Sequence, residues 1–495
     1  MFKLDGDVLY LIIKEFQNDR RMLNSCLKVN KTWCETTIPI LWKDPWKYHL
    51  EEKSSLCRVI LSHLSDEAKV NLKNYGFDFL KNIYKRPLID YINCCRNLNL
   101  NALMLIINTD DYISPFSKYN REILEKEIIK LFINKNTKFT HLYLPSRFNH
   151  QIPGAELCFS ELEFINISTF THDNVLVSLQ ELFKPVRKLE LVIEKDNNNY
   201  GIIKLIENSK KLISINFITK NIAGYSTEDY DKAFRNALEN SIIKHGRTMQ
   251  YFKIDKPPVM NILSNFINLK VLKISGSEGY FWGCLKNISL PYLRILKAES
   301  IPIKYLAILI DNTGGCLSEI VIDGVNHNEC DNKIIIQSIY KKCPKLRYLK
   351  IQLRNENISD FEKILINCKY LDGLHCVINN DFFHDDGSSD VFNWDYLFEV
   401  FYKSSPFNFY KIKLIFTNPF ELESLKSFLE GWKGRPPLLL HTIQTSSWGY
   451  NIDLGKEYLE LIKKYKSKGI VKRYIHAYYE LNPFKDFEWI RENQY

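Results

Sequence analysis

The sequence predicts an α/β chain. A small N-terminal helical module leads into a repeat solenoid, a curved parallel sheet with outer helices. Two patterns carry that expectation. A three-point apolar unit recurs ten times from residue 139 onward, mostly at steps of 20 to 29 residues. The first fifty residues instead space their apolar side chains as helices do. Composition agrees, with 45% hydrophobic and 25% charged residues, as in an ordinary folded protein.

The repeat unit reads apolar-x-x-apolar-x-apolar. It occurs as Phe139-Leu142-Leu144, Leu162-Ile165-Ile167, Val186-Leu189-Leu191 and Leu212-Ile215-Phe217. It continues as Met249-Phe252-Ile254, Leu269-Leu272-Ile274, Leu293-Leu296-Ala298, Leu317-Ile320-Ile322, Leu346-Leu349-Ile351 and Leu371-Leu374-Cys376. Alternate residues of a strand point to opposite faces, so the second and third positions both turn inward. Helical spacing returns before the next strand, as in Ile334 to Tyr340 and Phe361 to Ile366. One unit cannot cover its own apolar edge, but stacked units can. This is the period and pattern of a leucine-rich repeat. The other reading, an ordinary α/β domain, does not account for ten recurrences.

Four segments follow: a helical module over 1–50, a helical connector over 51–135, repeats over 136–400, and degenerate repeats with a C-terminal cap over 401–495. In the connector, Leu56 to Leu64, Glu67 to Leu72, Leu88 to Asn93 and Ile123 to Phe132 carry helical spacing. Beyond 400, Phe409 to Phe416, Leu438 to Ile443 and Ile470 to Ile475 read as strands. Leu422 to Trp432 and Tyr458 to Tyr465 read as helices.

In the first segment, Val8, Leu9, Ile12, Ile13 and Phe16 form one broad helical stripe. A second stripe runs through Leu23, Cys26 and Leu27, and a turn leads by Val29 to Trp33. Fifty residues cannot bury that much apolar surface alone, so part of it should dock on a partner. These residues resemble an F-box. Leu4, Asp7, Val8, Leu9, Ile12, Ile13 and Phe16 match the first half of that pattern, and Leu23, Leu27, Val29, Trp33, Leu41 and Trp42 match the second. Asp5 stands where the family usually has proline, a residue suited to a first helical position. Aspartate serves a helix start by capping and by the dipole. The fragments around Cys343 and Cys368 resemble the cysteine-containing repeats often joined to F-boxes.

The resemblance implies a substrate receptor of an SCF-type cullin ubiquitin ligase, acting in ubiquitin-dependent protein degradation. The module would bind a Skp-family adaptor and through it a cullin, while the repeats hold a target protein. The implied adaptor contacts are Leu4, Leu9, Ile12, Phe16, Leu27, Val29 and Trp33, some of which must instead hold the module's own helices together. The alternative is a repeat scaffold whose N-terminal helices only cap the solenoid.

For the target, the concave face of the sheet supplies candidates. The residue between the two inward apolar positions is Lys253, Lys273, Lys297, Val321, Lys350 and His375 in successive units. The row two residues earlier includes Tyr251 and Tyr348, and the row two later is partly acidic, with Asp255, Glu299 and Asp323. Tyr251, Lys253, Lys273, Lys297, Tyr348 and Lys350 are therefore the expected target contacts. Two readings stand: capture of an acidic or phosphorylated segment, or mutual neutralisation of lysine and acid rows across strands.

The expectation is a chain with no enzymatic activity, no metal and no cofactor. No glycine-rich phosphate loop or nucleophile elbow occurs. His327 and Cys330 lack a second ligand pair, and the Asp381, His384, Asp385, Asp386 and Asp390 stretch reads as a solvated insertion. A net charge of +9 over 495 residues, with no run of five basic residues, does not point to nucleic acid. With acids at Asp5 and Asp7 and no basic stretch before its apolar residues, the first segment does not read as a signal peptide, and no apolar run is long enough to span a bilayer. Several of the twelve cysteines sit where a repeat core takes small apolar residues, as at Cys343, Cys368 and Cys376. That usage suits a reducing compartment, the cytoplasm or nucleus.

Overall fold

Each apolar triad of the sequence lies at a strand of the structure. The structure is a computed structural model and describes residues 5–48, 53–78, 80, 87–110, 113–146, 155–180, 186–194, 197–220, 232–276, 280–325, 327–378, 392–445 and 455–477. The chain divides into two compact units, Met1–His245 and Gly246–Tyr495.

The first unit opens with three helices, α1 Gly6–Glu15, α2 Arg20–Cys26 and α3 Lys31–Leu41. Their starts follow local chemistry. The Asp19 side chain accepts from Met22 N at 3.0 Å and that of Asn30 from Trp33 N at 3.0 Å, which satisfies amides the helix leaves open. Asp5 stands at the N-cap of α1, but only its carbonyl is used, by Leu9 N at 3.0 Å. Leu9, Ile13, Leu23 and Cys26 form the module's core, with Phe16, Trp33, Ile40 and Leu41 packed against it.

Among the described residues, four further helices follow, Lys53–Ser62, Asp66–Lys73, Leu100–Thr109 and Lys118–Phe132. The expected helix over Leu88 to Asn93 shrinks to a 3-10 turn at Ile92–Cys94, with Leu88 exposed. The connector is not wholly helical. It contains β1, Asn97–Asn99, with Cys95, Leu98 and Leu100 all buried. That is one more triad of the same spacing, hidden in the sequence by its cysteine.

After β1 come β2 His141–Tyr143, β3 Phe164–Ser168, β4 Lys188–Glu194 and β5 Ser214–Lys220. Each pairs in parallel with the next in chain order. The register sets Leu142, Ile165, Leu189 and Ile215 side by side.

The second unit repeats the scheme. Its strands are β6 Tyr251–Ile254, β7 Val271–Ser275, β8 Ile295–Glu299, β9 Glu319–Asp323, β10 Tyr348–Leu353, β11 Gly373–Ile378, β12 Lys411–Phe416, β13 Leu438–Gln444 and β14 Val471–Ala477. All pair in parallel in chain order, with a register shift at Leu438/Leu439. The strands and helices expected beyond residue 400 are present. Short 3-10 turns, Ile262–Asn265 and Gly283–Asn287, return the chain between β6 and β8; full helices such as Glu329–Lys342 and Ile358–Asn367 do so later.

No residue of the ten triads is more than 3% exposed. This is a leucine-rich-repeat α/β solenoid in the sense the sequence predicts. Cys343, Cys368 and Cys376 are buried and free. Burial pushes the Cys368 thiol up to about 12, so it packs as a small hydrophobe rather than as a nucleophile.

Candidate interaction surfaces

The N-terminal module has two faces. At 100° per residue, Leu9, Ile13 and Phe16 share one side of α1, while Val8, Leu11 and Ile12 share the adjacent arc. The first side is sealed in the module, with Leu9 1% exposed. The second is open: Val8 is 44%, Leu11 60% and Ile12 39% exposed. Val29, beyond α2, is 55% exposed. Of the expected adaptor contacts, the structure therefore exposes Ile12 and Val29. Phe16, Leu27 and Trp33 are half-buried, and Leu4 lies outside the described residues. Leu9 is a packing residue, a correction that follows from its burial in one cluster with Ile13, Leu23 and Cys26. Leu11 was missed, although its helical angle beside Val8 and Ile12 was readable.

The module's far end is fastened to the sheet. Arg96 N and Asn97 N both donate to Lys43 O, at 3.0 and 3.1 Å. Asn97 Nδ2 donates to Asp44 Oδ2 at 2.9 Å, and Trp46 Nε1 donates to Asn97 O at 2.5 Å. The Trp42 ring lies 4.9 Å from Tyr91 and the Trp46 ring 5.8 Å from Phe132. The Lys43 to Trp46 segment thus bonds to the edge of β1.

On the second unit's sheet, the face away from the triads carries the lysine row in the expected register, Lys253, Lys273, Lys297, Val321, Lys350 and His375. It is not a continuous exposed row. Lys297 Nζ lies 2.8 Å from Glu319 Oε1, and Lys350 Nζ 2.5 Å from Asp323 Oδ2. Glu319, Val321 and Asp323 alternate along β9, so its two acids draw in the lysines of β8 and β10. Lys350 is 2% exposed and His375 fully buried. This corrects the expectation of lysines offered to an incoming anion at 297 and 350, because each charge is met within the sheet. Lys273 Nζ sits 5.4 Å from the Tyr251 ring centre, and Lys411 Nζ 5.8 Å from that of Tyr348. Lys253 is half-buried beside them.

The corresponding face of the first unit differs in chemistry, and the sequence reading passed over it. Tyr143, Asn166, Glu190 and Asn216 form one row across β2 to β5. Glu190 accepts from Asn166 Nδ2 at 2.6 Å and from Asn216 Nδ2 at 2.5 Å. The Phe164 ring packs 4.9 Å from Tyr143 and stacks 5.3 Å from His141. Burial, with Asp44 and Glu190 nearby, pushes the Tyr143 hydroxyl up to about 12. Farther along, Glu194 pairs with Lys220 at 3.1 Å.

Among the described residues no group of three or more His, Cys, Asp or Glu side chains is placed to hold a metal ion. His327 is instead buried in a polar knot. Its backbone N–H donates to Gln352 Oε1 at 3.0 Å, and Asn332 Nδ2 lies 3.3 Å from its Nδ1. The Asp381 to Asp390 stretch lies outside the described residues. Among the described residues, no helix is long and apolar enough to cross a membrane.

No family model matches this chain, and no curated protein matches it. Among solved structures it is similar to the leucine-rich repeat-containing protein LegL7 from Legionella pneumophila, at 13% identity and a TM-score of 0.33. That likeness covers 63% of this chain and 89% of the other. At that score it adds nothing to the fold, which rests on strand register.

Proposed function

We propose that this chain is the substrate-recognition subunit of an SCF-type cullin ubiquitin ligase. Its N-terminal module binds a Skp-family adaptor, and through it a cullin, and its repeats hold a target protein. The observation that carries the reading is the open apolar stripe of Val8, Leu11 and Ile12 beside a module core that is already complete. Such a stripe costs solubility unless another polypeptide covers it. The F-box resemblance of the same residues supplies the kind of partner. Ile12 and Val29, with Val8 and Leu11, are the contacts; Leu9 supports them from beneath. The chain itself does no chemistry. It raises the effective concentration of target lysines near a ubiquitin-loaded enzyme, in the cytoplasm or nucleus.

A second reading, a scaffold whose N-terminal helices only cap the repeats, is favoured by the bonds from Lys43 and Trp46 to the β1 edge. Those bonds use the module's far end and leave the α1 stripe open. Capture of a purified Skp-family adaptor by the full chain separates the two. Wild type should retain the adaptor, and the triple variant Leu11→Glu, Ile12→Glu, Val29→Glu should lose at least tenfold in affinity. No capture by wild type leaves the scaffold reading.

A further inference from the structure

We infer that the face of β2 to β5 away from the repeat core is a recognition site for an arginine side chain of a partner polypeptide. The inference rests on reading the repeats as the part that holds a target, and it names that target's chemistry. Neighbouring strands are about 4.8 Å apart, so the row Tyr143, Asn166, Glu190, Asn216 is a short, fixed platform.

Glu190 is oriented but not charge-balanced. Both groups holding it are neutral amides, and among the described residues no lysine or arginine forms an ion pair with it. A carboxylate offers about four acceptor positions, so two amide donors leave room for two more. Asn216 adds a second signal. Its Nδ2 is spent on Glu190, while its Oδ1 is buried with no hydrogen-bond partner. A buried acceptor without a donor is costly and calls for one. At the other end of the row stand the half-exposed rings of Tyr143, Phe164 and His141.

The ligand must therefore bring a positive charge, more than one N–H donor and a surface that lies on an aromatic ring. A guanidinium does all three: it is planar, donates in a fork and stacks on aromatic faces. An ammonium supplies the charge without the fork. A metal ion would need more anionic ligands than one carboxylate. Around His141, Lys188 and Lys43 are offset by Glu163 and Asp44, so that end of the row has no charge preference of its own. Asp44 and Glu190 flank Tyr143, which places the guanidinium over Tyr143 and against Glu190.

The test uses the full chain and a fluorescein-labelled pentapeptide, Gly-Ser-Arg-Ser-Gly, read by anisotropy. Its citrulline counterpart has the same shape without the charge and should bind at least tenfold more weakly; the lysine counterpart should bind severalfold more weakly. Glu190→Gln should weaken the arginine peptide at least tenfold, and Tyr143→Leu severalfold, with thermal midpoints near that of wild type. Equal binding of the citrulline peptide, arginine binding unmoved by Glu190→Gln, or no saturable binding overturns the inference. Should Glu190→Gln fail to fold, Tyr143→Leu and the peptide series decide alone. Adaptor capture is a separate readout, so a failure here leaves the function of the N-terminal module standing.

Discussion

Lys350 has a side chain 3% exposed whose ammonium meets Asp323 at 2.5 Å, while Asp323 itself keeps 26% of its surface. A lysine in that position costs desolvation, and the acid on the neighbouring strand offsets it. Removing the acid removes that offset. Asp323→Asn should destabilise the chain by about 3 kcal/mol in urea unfolding, whereas Lys350→Met, which removes the charge and keeps the length, should cost less than about 1 kcal/mol. Equal losses from both would show that the pair contributes net stability. The lysine row was legible in the sequence because each lysine sits between two apolar positions. Its neutralisation was half legible: the acidic row was visible, but which acid meets which lysine depends on strand register and side-chain reach.

At the scale of elements, spacing limits what can return the chain to the sheet. Met249 and Leu269 are 20 positions apart, and a 3-10 turn at Ile262–Asn265 fills the gap. Leu317 and Leu346 are 29 apart, and the 14-residue helix Glu329–Lys342 fits between them. Close stacking also shapes the turns. A Cβ on Gly314 would stand 2.4 Å from Pro291 O and 3.0 Å from Pro291 Cα, both backbone atoms of the preceding unit. Backbone yields less readily than a side-chain tip. Gly314→Ala should therefore cost about 2 kcal/mol, measured by chemical unfolding, and should fall to near zero if that turn has slack. Exposed Gly434 has nothing within 4 Å, but its φ of +82° favours glycine for conformational reasons instead.

At the scale of the whole molecule, the second unit carries a pH liability. Burial holds His327 down to about 4 and His441, beside Lys413, down to about 4. Burial, with Lys350 and Lys413 close by, holds His375 well below the usual histidine range. All three are neutral when folded near pH 7 but take up protons near pH 6.5 once unfolded. The unfolded state then binds more protons, so stability is complete above about pH 6.5 and is lost as pH falls toward 4. For His327 alone the loss at pH 5 is about 2 kcal/mol. The urea midpoint of the full chain should drop clearly between pH 7.5 and pH 5. A midpoint flat across that window would contradict the burial of these rings.

The sequence by itself determined the repeat. In each of the ten triads the second and third positions, twenty residues in all, obey a period-two rule inside the strand, and burial along a strand depends on little else. It also determined the first two helices of the N-terminal module, whose apolar spacing is local, whereas the third, Lys31–Leu41, lay beyond the turn that the spacing showed. The tertiary structure decided what those patterns leave open. On α1 both Leu9 and Ile12 fit an apolar stripe, and only the arrival of Leu23 and Cys26 on one side separates the packed residue from the exposed one. On the sheet, Lys350 and Glu190 are each one charged residue in a strand. Parallel pairing gave the lysine an acid and the glutamate two amides, a difference between neighbours across the sheet that no single strand records.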